Sequence, residues 1–517
     1  MIIKLRIMKI KNIKTQIFVW LLACSMLSVH SCNDFLEVNS PDELTSSTFW
    51  RDSTDAVAAL SAVYSMLECA VDVWEFAEIK WPVEAYREDI CDMGSDAYSY
   101  QNWMELYHFS YTNGNSQFTL YWKHHYRGIS FANQLLEKIN EIPSETLPDA
   151  SRSGIIAEAR FLRAYYHMKL LLNWDQVIIR DHYITSQDGL NESLSGRPET
   201  WDFILSELET AAKVLPADYP SSAKGRATKG AAYAYLGFGY LTRAYEEPGT
   251  KNASLEKALD AFSQVKGYSL VKDFISMFDG SNKNSPESVF ELQFTETTAN
   301  GASYRTALHK WMAVSELSGW DEILPSAMLM TEFMKEGQVA VTGRYDSRLY
   351  HTVFFNDPYF NDPANPRVYG STYGALFGAG ATKPAFRKYL PRTYEDLQKS
   401  RTGLNVPLMR YSNVLLMQAE ALNELGRTAE AIPLINQVRE RADMPAMTGT
   451  SQTDVRTQIE HERILEFPME NFRFYDLRRW GKTKEALDAA NRSSFDPAKH
   501  SFYPVPQTEI QSNDAIR

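Results

Sequence analysis

Between Tyr411 and Ala442 the apolar residues fall in a pattern that few folds accept. Tyr411, Leu415, Ala419 and Leu422 make one helical stripe, Gly426 breaks it, and Ala431, Ile435, Val438 and Ala442 make a second. Ala419, Leu422, Gly426, Ala431, Ile435 and Val438 match the small and apolar positions of a tetratricopeptide repeat. Small residues there let two antiparallel helices approach closely, and a unit of this kind must stack on neighbours to bury its other face.

Looser copies lie upstream. Gly230 to Val271 carries Gly237 and Tyr240 on a first helix and Ala258, Phe262 and Val265 on a second. The connection "YEEPGTKNASLE" is about nine residues longer than in the short repeat. "EARFLRAYYHMKLLLNW" with "TWDFILSELETAAKVLP" forms a third unit with a long insertion, and Ile155, Ala159, Leu162, Tyr166 and Leu170 line one face of its first helix. "YWKHHYRGISFANQLLEKINEIP" is a further helix of this type.

The chain changes character over residues 272–405. Stretches such as "NDPYFNDPANPRVYGSTYGALFGAGATKP" are rich in Gly, Asn, Pro and aromatics, and only "SVFELQF" alternates like a strand. A second loop-rich segment runs from "DVWEFAEIKW" to "YTNGN". Long loops on a rigid scaffold are where binding function concentrates. The fold class is therefore mainly α, a tetratricopeptide-repeat scaffold with a large loop-rich insertion carrying short strands. The division is 1–31 leader, 32–271 N-terminal helical region with an aromatic loop segment, 272–405 ligand-binding insertion, and 406–517 C-terminal repeat with the segment described below.

The N-terminus sets the compartment. "MIIKLRIMKIKNIK" carries five cations and no acid, and "IFVWLLACSML" follows as an apolar run of eleven, the layout of a signal peptide and too short to span a bilayer comfortably. The chain then turns abruptly polar at "SVHSCNDFLEVNSP", with a small residue before Cys32, so Cys32 is the candidate lipidation site. Cys24 in "LLAC" competes, but leaves only a short apolar run before it. Cys69 and Cys91 either pair or stay as two buried thiols.

Net charge is −12, which disfavours a phosphate backbone as partner. "HERIL" lacks the second His of a zinc-protease motif, no G-x-S-x-G occurs, and "GALFGAGAT" lacks the Lys-Ser/Thr of a phosphate loop. The 65 acidic residues single out no glycosidase pair. Aromatics are 13% of the chain, more than a core needs. Trp74, Trp81, Tyr98, Tyr100 and Trp103 crowd one loop-rich segment, and Trp311 and Trp320 the other. Aromatic faces stack on sugar C–H faces while hydroxyls stay wet. Such rings also serve to pin loops to helices.

Near the C-terminus, "HERILEFPMENFRFYDLRRWG" alternates arginines, aromatics and carboxylates. Ile464, Phe467, Phe472, Phe474, Leu477 and Trp480 provide apolar anchors, and Arg473, Arg478 and Arg479 are placed to reach helix C-termini and carboxylates such as Asp476. We read the stretch as an internal clamp.

The same stretch resembles the C-terminal signature of SusD/RagB-type outer-membrane lipoproteins of Bacteroidota. Glu462, Arg463, Glu466, Glu470 and Arg473 through Gly481 fit it, whereas Pro468, Met469 and Asn471 depart from the usual Ala, Phe and Gly. "SCNDFLEVNSP", "GRATKGAAYAYLGFGYLTRA", "SGWDEILPSAMLMTEF", "NVPLMRYSNVLLMQAEALNELG" and "FYPVPQTEI" extend the resemblance over nearly the whole chain. It implies a non-enzymatic, lipid-anchored protein of the outer membrane, facing outward. Such a protein captures oligo- or polysaccharide for a SusC-like TonB-dependent transporter. A peptide ligand, or a scaffold with no small ligand, remains the alternative. Carried onto this chain, the candidate glycan-binding residues are Trp320, Trp311, Tyr98, Tyr100 and Trp103, with Trp81, Arg87 and Asp89 as weaker ones. No cofactor is expected; some family members hold calcium, but no loop here has convincing ligand spacing.

Overall fold

The stripe at Ile155, Ala159, Leu162, Tyr166 and Leu170 is buried along its whole length. It runs through one helix of a continuous array, and that array organises everything else. The computed structural model describes residues 49–68, 80–296 and 304–516. The leader, Cys32, Cys69 and Trp74 lie outside the described residues. From Asp52 onward the chain forms one compact unit.

Helix α1 (Ser53–Ser65) starts at Asp52, whose carboxylate accepts from the Thr54 and Asp55 amides. α2 (Gln101–His108) lies in the first loop-rich segment. The array proper then runs α3 (Ser116–Lys138), α4 (Asp149–Asn173), α5 (Arg197–Val214), α6 (Lys229–Glu246) and α7 (Lys251–Ser263), each packed on the next. α1 packs across α3 and α4. A Cβ on Gly237 would sit 2.3 Å from the Phe262 ring, so a side chain there would separate α6 from α7. The connection between these two helices differs from expectation. It is not a long loop, because α7 begins at Lys251 and a single 3₁₀ turn, Pro248–Thr250, joins the helices. "KNASLE" extends the second helix instead.

The chain then leaves the array. Helix α8 (Ala327–Met334) belongs to the excursion, and the array resumes with α9 (Tyr411–Glu424), α10 (Thr428–Arg441) and α11 (Gln452–Glu466), followed by the short α12 (Arg473–Arg479). α9 packs directly on α7, so the intervening residues are an insertion into an unbroken stack. α9 and α10 are the expected antiparallel pair, with Ala419, Leu422, Ala431, Ile435 and Val438 buried between helices and Gly426 at φ 78 after the first.

Six short strands form three two-stranded antiparallel sheets among the described residues. β1 (Cys91–Met93) pairs with β3 (Ile323–Pro325), β2 (Ser288–Leu292) with β6 (Val406–Arg410), and β4 (Val353–Phe354) with β5 (Ala385–Phe386). The β2–β6 pair ties the outgoing chain of the insertion to its return. Within "SVFELQF" the strand covers Ser288–Leu292, and it is buried on both faces from Val289 to Leu292 although its sequence alternates.

The C-terminal segment is the clamp that its composition suggests. Arg473 makes a two-bonded pair with Asp89 at 2.8 Å. Arg478 donates to the Leu172 carbonyl, in the last turn of α4, at 2.7 Å. Arg479 pairs with Glu420 and Asp476, and Arg463 holds Asp476 at 2.7 Å. Between α11 and the insertion lies a larger enclosed network. Glu466 is shared by Arg348, Arg410 and Arg441; Glu462 by Arg348 and Arg439; and Glu470 by Arg410 and Lys388. All but Glu470 among these residues are buried, and its carboxylate is enclosed too. Burial alone would raise the Glu466 carboxyl, but three guanidinium groups hold it well below the usual range. Asn471 and Met469 take φ 62 at the junction before α12; Asn fits that conformation readily where the family more often has Gly.

Candidate functional site

The aromatic candidates divide into a buried column and an exposed edge. Trp81 and Trp311, on the short helices Trp81–Ala85 and Leu308–Met312, are 2% and 0% exposed, and every residue of both helices is enclosed. Their rings meet edge-on at 5.8 Å, and Trp81 also meets Tyr389 at 5.5 Å. Tyr86 continues the column, 5.8 Å from Trp311 and 6.3 Å from Trp103. Trp103, on α2, is 4% exposed and supports Tyr100, whose ring lies 4.2 Å above it at 32°. Trp81, Trp311 and Trp103 therefore cannot present a stacking face to a ligand. They are the footing on which an exposed ring stands.

Arg87 and Asp89 are corrected in the same way. Arg87 is fully buried, donates to Asn173 and to the His500 and Ser501 carbonyls, and lies 3.6 Å from the Phe474 ring centroid. Asp89 is the buried partner of Arg473. Both fasten the first loop segment to the C-terminal clamp. Cys91 is free and buried, with its thiol donating to the Ala85 carbonyl.

What remains at the surface is built from three distant segments. Tyr98 and Tyr100 are 49% and 43% exposed, and Trp320 is half-buried. The β1–β3 register brings them to one edge, extended beyond the strands by Gly94 N–H donating to Glu322 O (2.9 Å) and Asp96 N–H to Asp321 O (3.2 Å). A Cβ on Gly94 would fall 1.8 Å from that Asp321 oxygen, so only glycine permits the approach. On the other strand, the Trp320 amide bonds to Lys310 O (2.8 Å) and the Asp321 amide to Ala313 O (3.2 Å), while Ser318 and Asp321 sit at φ 61 and 57 and turn the loop outward.

The third segment arrives through Lys383. Its ammonium lies 2.8 Å from Asp321 Oδ1 and 3.0 Å from Glu316 Oε2, and its carbonyl accepts from Tyr373 Oη. Burial pushes Asp321 up, yet the hydrogen bonds from Lys383 and Ser315 outweigh it and hold the carboxyl below its ordinary value. Sequence alone does not single out Glu316, Asp321 or Lys383; the placement of Asp321 directly after Trp320 is the only local hint.

Clefts of about 560 and 520 Å3 share Lys224, Gly225, Arg226 and Glu291. Of their cations, Lys224 pairs with Asp218 and Arg226 with Glu158, and Tyr304 there is stacked on Phe294 at 5.7 Å. A narrow pocket of about 40 Å3 beside Trp81 and Tyr475 has room for about one water. Glu336, His461 and Glu462 bring ligand atoms within 4.8 Å of one another. Arg439 already bonds both carboxylates, and His461 bridges Glu332 and Glu336. Burial would lower that imidazole, but the two glutamates push it up to about 9, so a proton holds the cluster together.

A stacked helical scaffold with a loop-built aromatic edge is thus the class of molecule. The comparisons give the family. Residues 286–517 match the SusD family, and residues 34–241 match a SusD-like family described as starch-binding associating with outer membrane. The chain is 25% identical over 515 residues to "SusD-like protein P38" of Formosa agariphila, covering 93% of this chain and 94% of that one. It is similar to the crystal structure of a SusD superfamily protein from Bacteroides vulgatus, at TM-score 0.79 and 25% identity over 91% of this chain and 99% of that one. A structure titled "Laminarin binding SusD-like protein" matches at TM-score 0.71 and 25% identity, covering 90% and 99% of the two chains. The chain belongs to the SusD/RagB family.

Proposed function

We propose that this protein is a cell-surface lipoprotein that captures oligo- or polysaccharide on the Tyr98–Tyr100–Trp320 edge and passes it to a SusC-like TonB-dependent transporter. The observation that carries this reading is the half-exposed Tyr100 ring, held at 4.2 Å on a buried tryptophan. A ring so supported loses little freedom when a sugar stacks on its outer face. The laminarin-binding relative of the same fold adds weight. Cys32 would carry the lipid, and residues 272–405 would supply Trp320 and the Glu316–Lys383–Asp321 group to the binding face.

The edge suits binding and not hydrolysis. Its two closest carboxylates share one ammonium, and Asp321 is held below its ordinary value, the opposite of what a general acid at neutral pH requires. Stacking on a few rings gives dissociation constants from micromolar to millimolar, about −8 to −4 kcal/mol, which suits a site that must release its ligand to a transporter.

The test is calorimetry of a soluble form beginning at Asn33 against plant, microbial and host polysaccharides, with Trp320→Ala and Tyr100→Ala beside it. Binding that both variants weaken supports the reading. Binding that neither changes removes this edge from it, and no binding across the panel contradicts glycan capture by the chain alone.

A further inference from the structure

Carboxylates outnumber cations around the aromatic edge. Asp92 and Asp96 lie on the chain that leads from β1 to Tyr98, Glu105 on α2, and Glu316 and Asp321 in the loop that carries Trp320. Neutral donors satisfy some of these carboxylates and leave the charge in place: Tyr107 Oη donates to Asp92 (2.8 Å), and Asn115 to Glu105 (2.8 Å). The adjoining turn Tyr394–Gln398, tied in by Ser318 Oγ donating to Gln398 Oε1 (3.0 Å), adds Glu395 and Asp396 against Lys399.

Three cations packed at this edge are bonded within the fold. Lys310 donates to the Ser318 and Leu397 carbonyls at 2.9 and 2.6 Å and is buried. Lys383 is shared by two carboxylates. Arg492, under the Tyr107 ring at 3.9 Å, is enclosed and donates to the Tyr86, Glu88 and Tyr107 carbonyls. His108, with its ring 6.5 Å from that of Tyr98, is lowered by burial and by Arg492, which favours its neutral form.

We infer that the ligand of this edge is an uncharged glycan, and that polymers bearing uronate or sulfate groups are turned away by the Glu316–Lys383–Asp321 triad and the carboxylates beside it. The inference rests on the reading of the edge as the glycan site. An anionic sugar stacked on Tyr100 or Trp320 meets like charge, while Lys310, Lys383 and Arg492 are already bonded to the protein's own oxygens. Anion recognition uses such groups in bidentate or charge-assisted contacts. Like-charge juxtaposition is also how a binding surface rejects wrong partners.

The experiment pairs polymers of one backbone. Neutral laminarin, xylan and mannan are each titrated beside a derivative of the same polymer oxidised to uronate or sulfated. The acidic form of whichever polymer binds is expected to bind at least about tenfold more weakly at about 0.01 M salt, where screening reaches ~30 Å. The gap is expected to narrow at about 1 M salt, where screening reaches ~3 Å. Glu316→Gln is expected to narrow it at low salt. An acidic polymer that binds as tightly as its neutral parent, and loses binding in Trp320→Ala, overturns the inference while keeping the site. A gap that salt and Glu316→Gln leave unchanged is steric and also overturns it. Binding that Trp320→Ala and Tyr100→Ala leave intact instead overturns the reading of the edge, and failure of every polymer overturns both.

Discussion

Two regions of this molecule are dense in residues that ordinarily recognise ligands, and they use them in opposite ways. In the C-terminal clamp, the carboxylates of Glu462, Glu466 and Glu470 are enclosed and each is met by more than one cation from α10 or the insertion. At the Tyr98–Trp320 edge Glu316 and Lys383 are half-exposed, Asp321 is buried against them, and Tyr98 and Tyr100 keep about half of their surface outward. The contrast shows that residue type alone is a poor guide to function. The clamp arginines are enclosed and bonded to carboxylates inside the fold, whereas Tyr98 and Tyr100 at the edge are held half-exposed by the turns that carry them.

The clamp's side of the contrast predicts the largest effect. Arg410 is fully buried and bonds Glu287, Glu466 and Glu470, so Arg410→Ala leaves three carboxylates under-compensated. A loss of about 3–5 kcal/mol in chemical denaturation is expected. A loss below about 1 kcal/mol would mean that the network is solvated and the contrast false. Within the array, Gly237→Val forces α6 away from Phe262 and should cost about 1–3 kcal/mol by the same measurement.

A pH titration sharpens the clamp's role further. His461, pushed up to about 9 from 6.5 against the effect of burial, stabilises the α8–α11 contact fully below pH 6.5 and loses that contribution as pH rises through 9. Glu332, for which burial is likewise outweighed by His461 and Lys335, is held at about 2, so its share is present above 4.5 and lost as pH falls through 2. Stability from this pair should be greatest from pH 4.5 to 6.5 and fall by on the order of 2 kcal/mol toward pH 10. His461→Gln should flatten that decline, and an unchanged profile would count against the pairing. The edge predicts the smallest change in stability: Trp320→Ala, at a half-buried site, should shift the denaturation midpoint little while weakening glycan binding about 5- to 30-fold, or ~1–2 kcal/mol.

How far each region is legible in the sequence follows from its geometry. The α9–α10 pair announces itself because long helices repeat their buried face and Gly426 marks the turn between them. The clamp is legible because arginines interleaved with aromatics have few other uses in an acidic chain. The edge is only half legible. Trp81 and Trp311 sit on helices of five residues, too short for a period to show which face is inside. Lys383 reaches Glu316 and Asp321 across more than 60 residues of loop with no pattern in it. The connection of α6 to α7 was hidden for a related reason, since Pro248 and Gly249 look like a long loop but occupy one 3₁₀ turn.

The most direct test of the contrast is hydrogen–deuterium exchange of the soluble chain, with and without the polysaccharide that binds it best. The account predicts new protection at residues 94–103, 315–321 and 381–385, and no change along 462–481, which is already closed. Protection on the helical array, or around Tyr304 and Arg226, with the Tyr98–Trp320 edge unaltered, would contradict it.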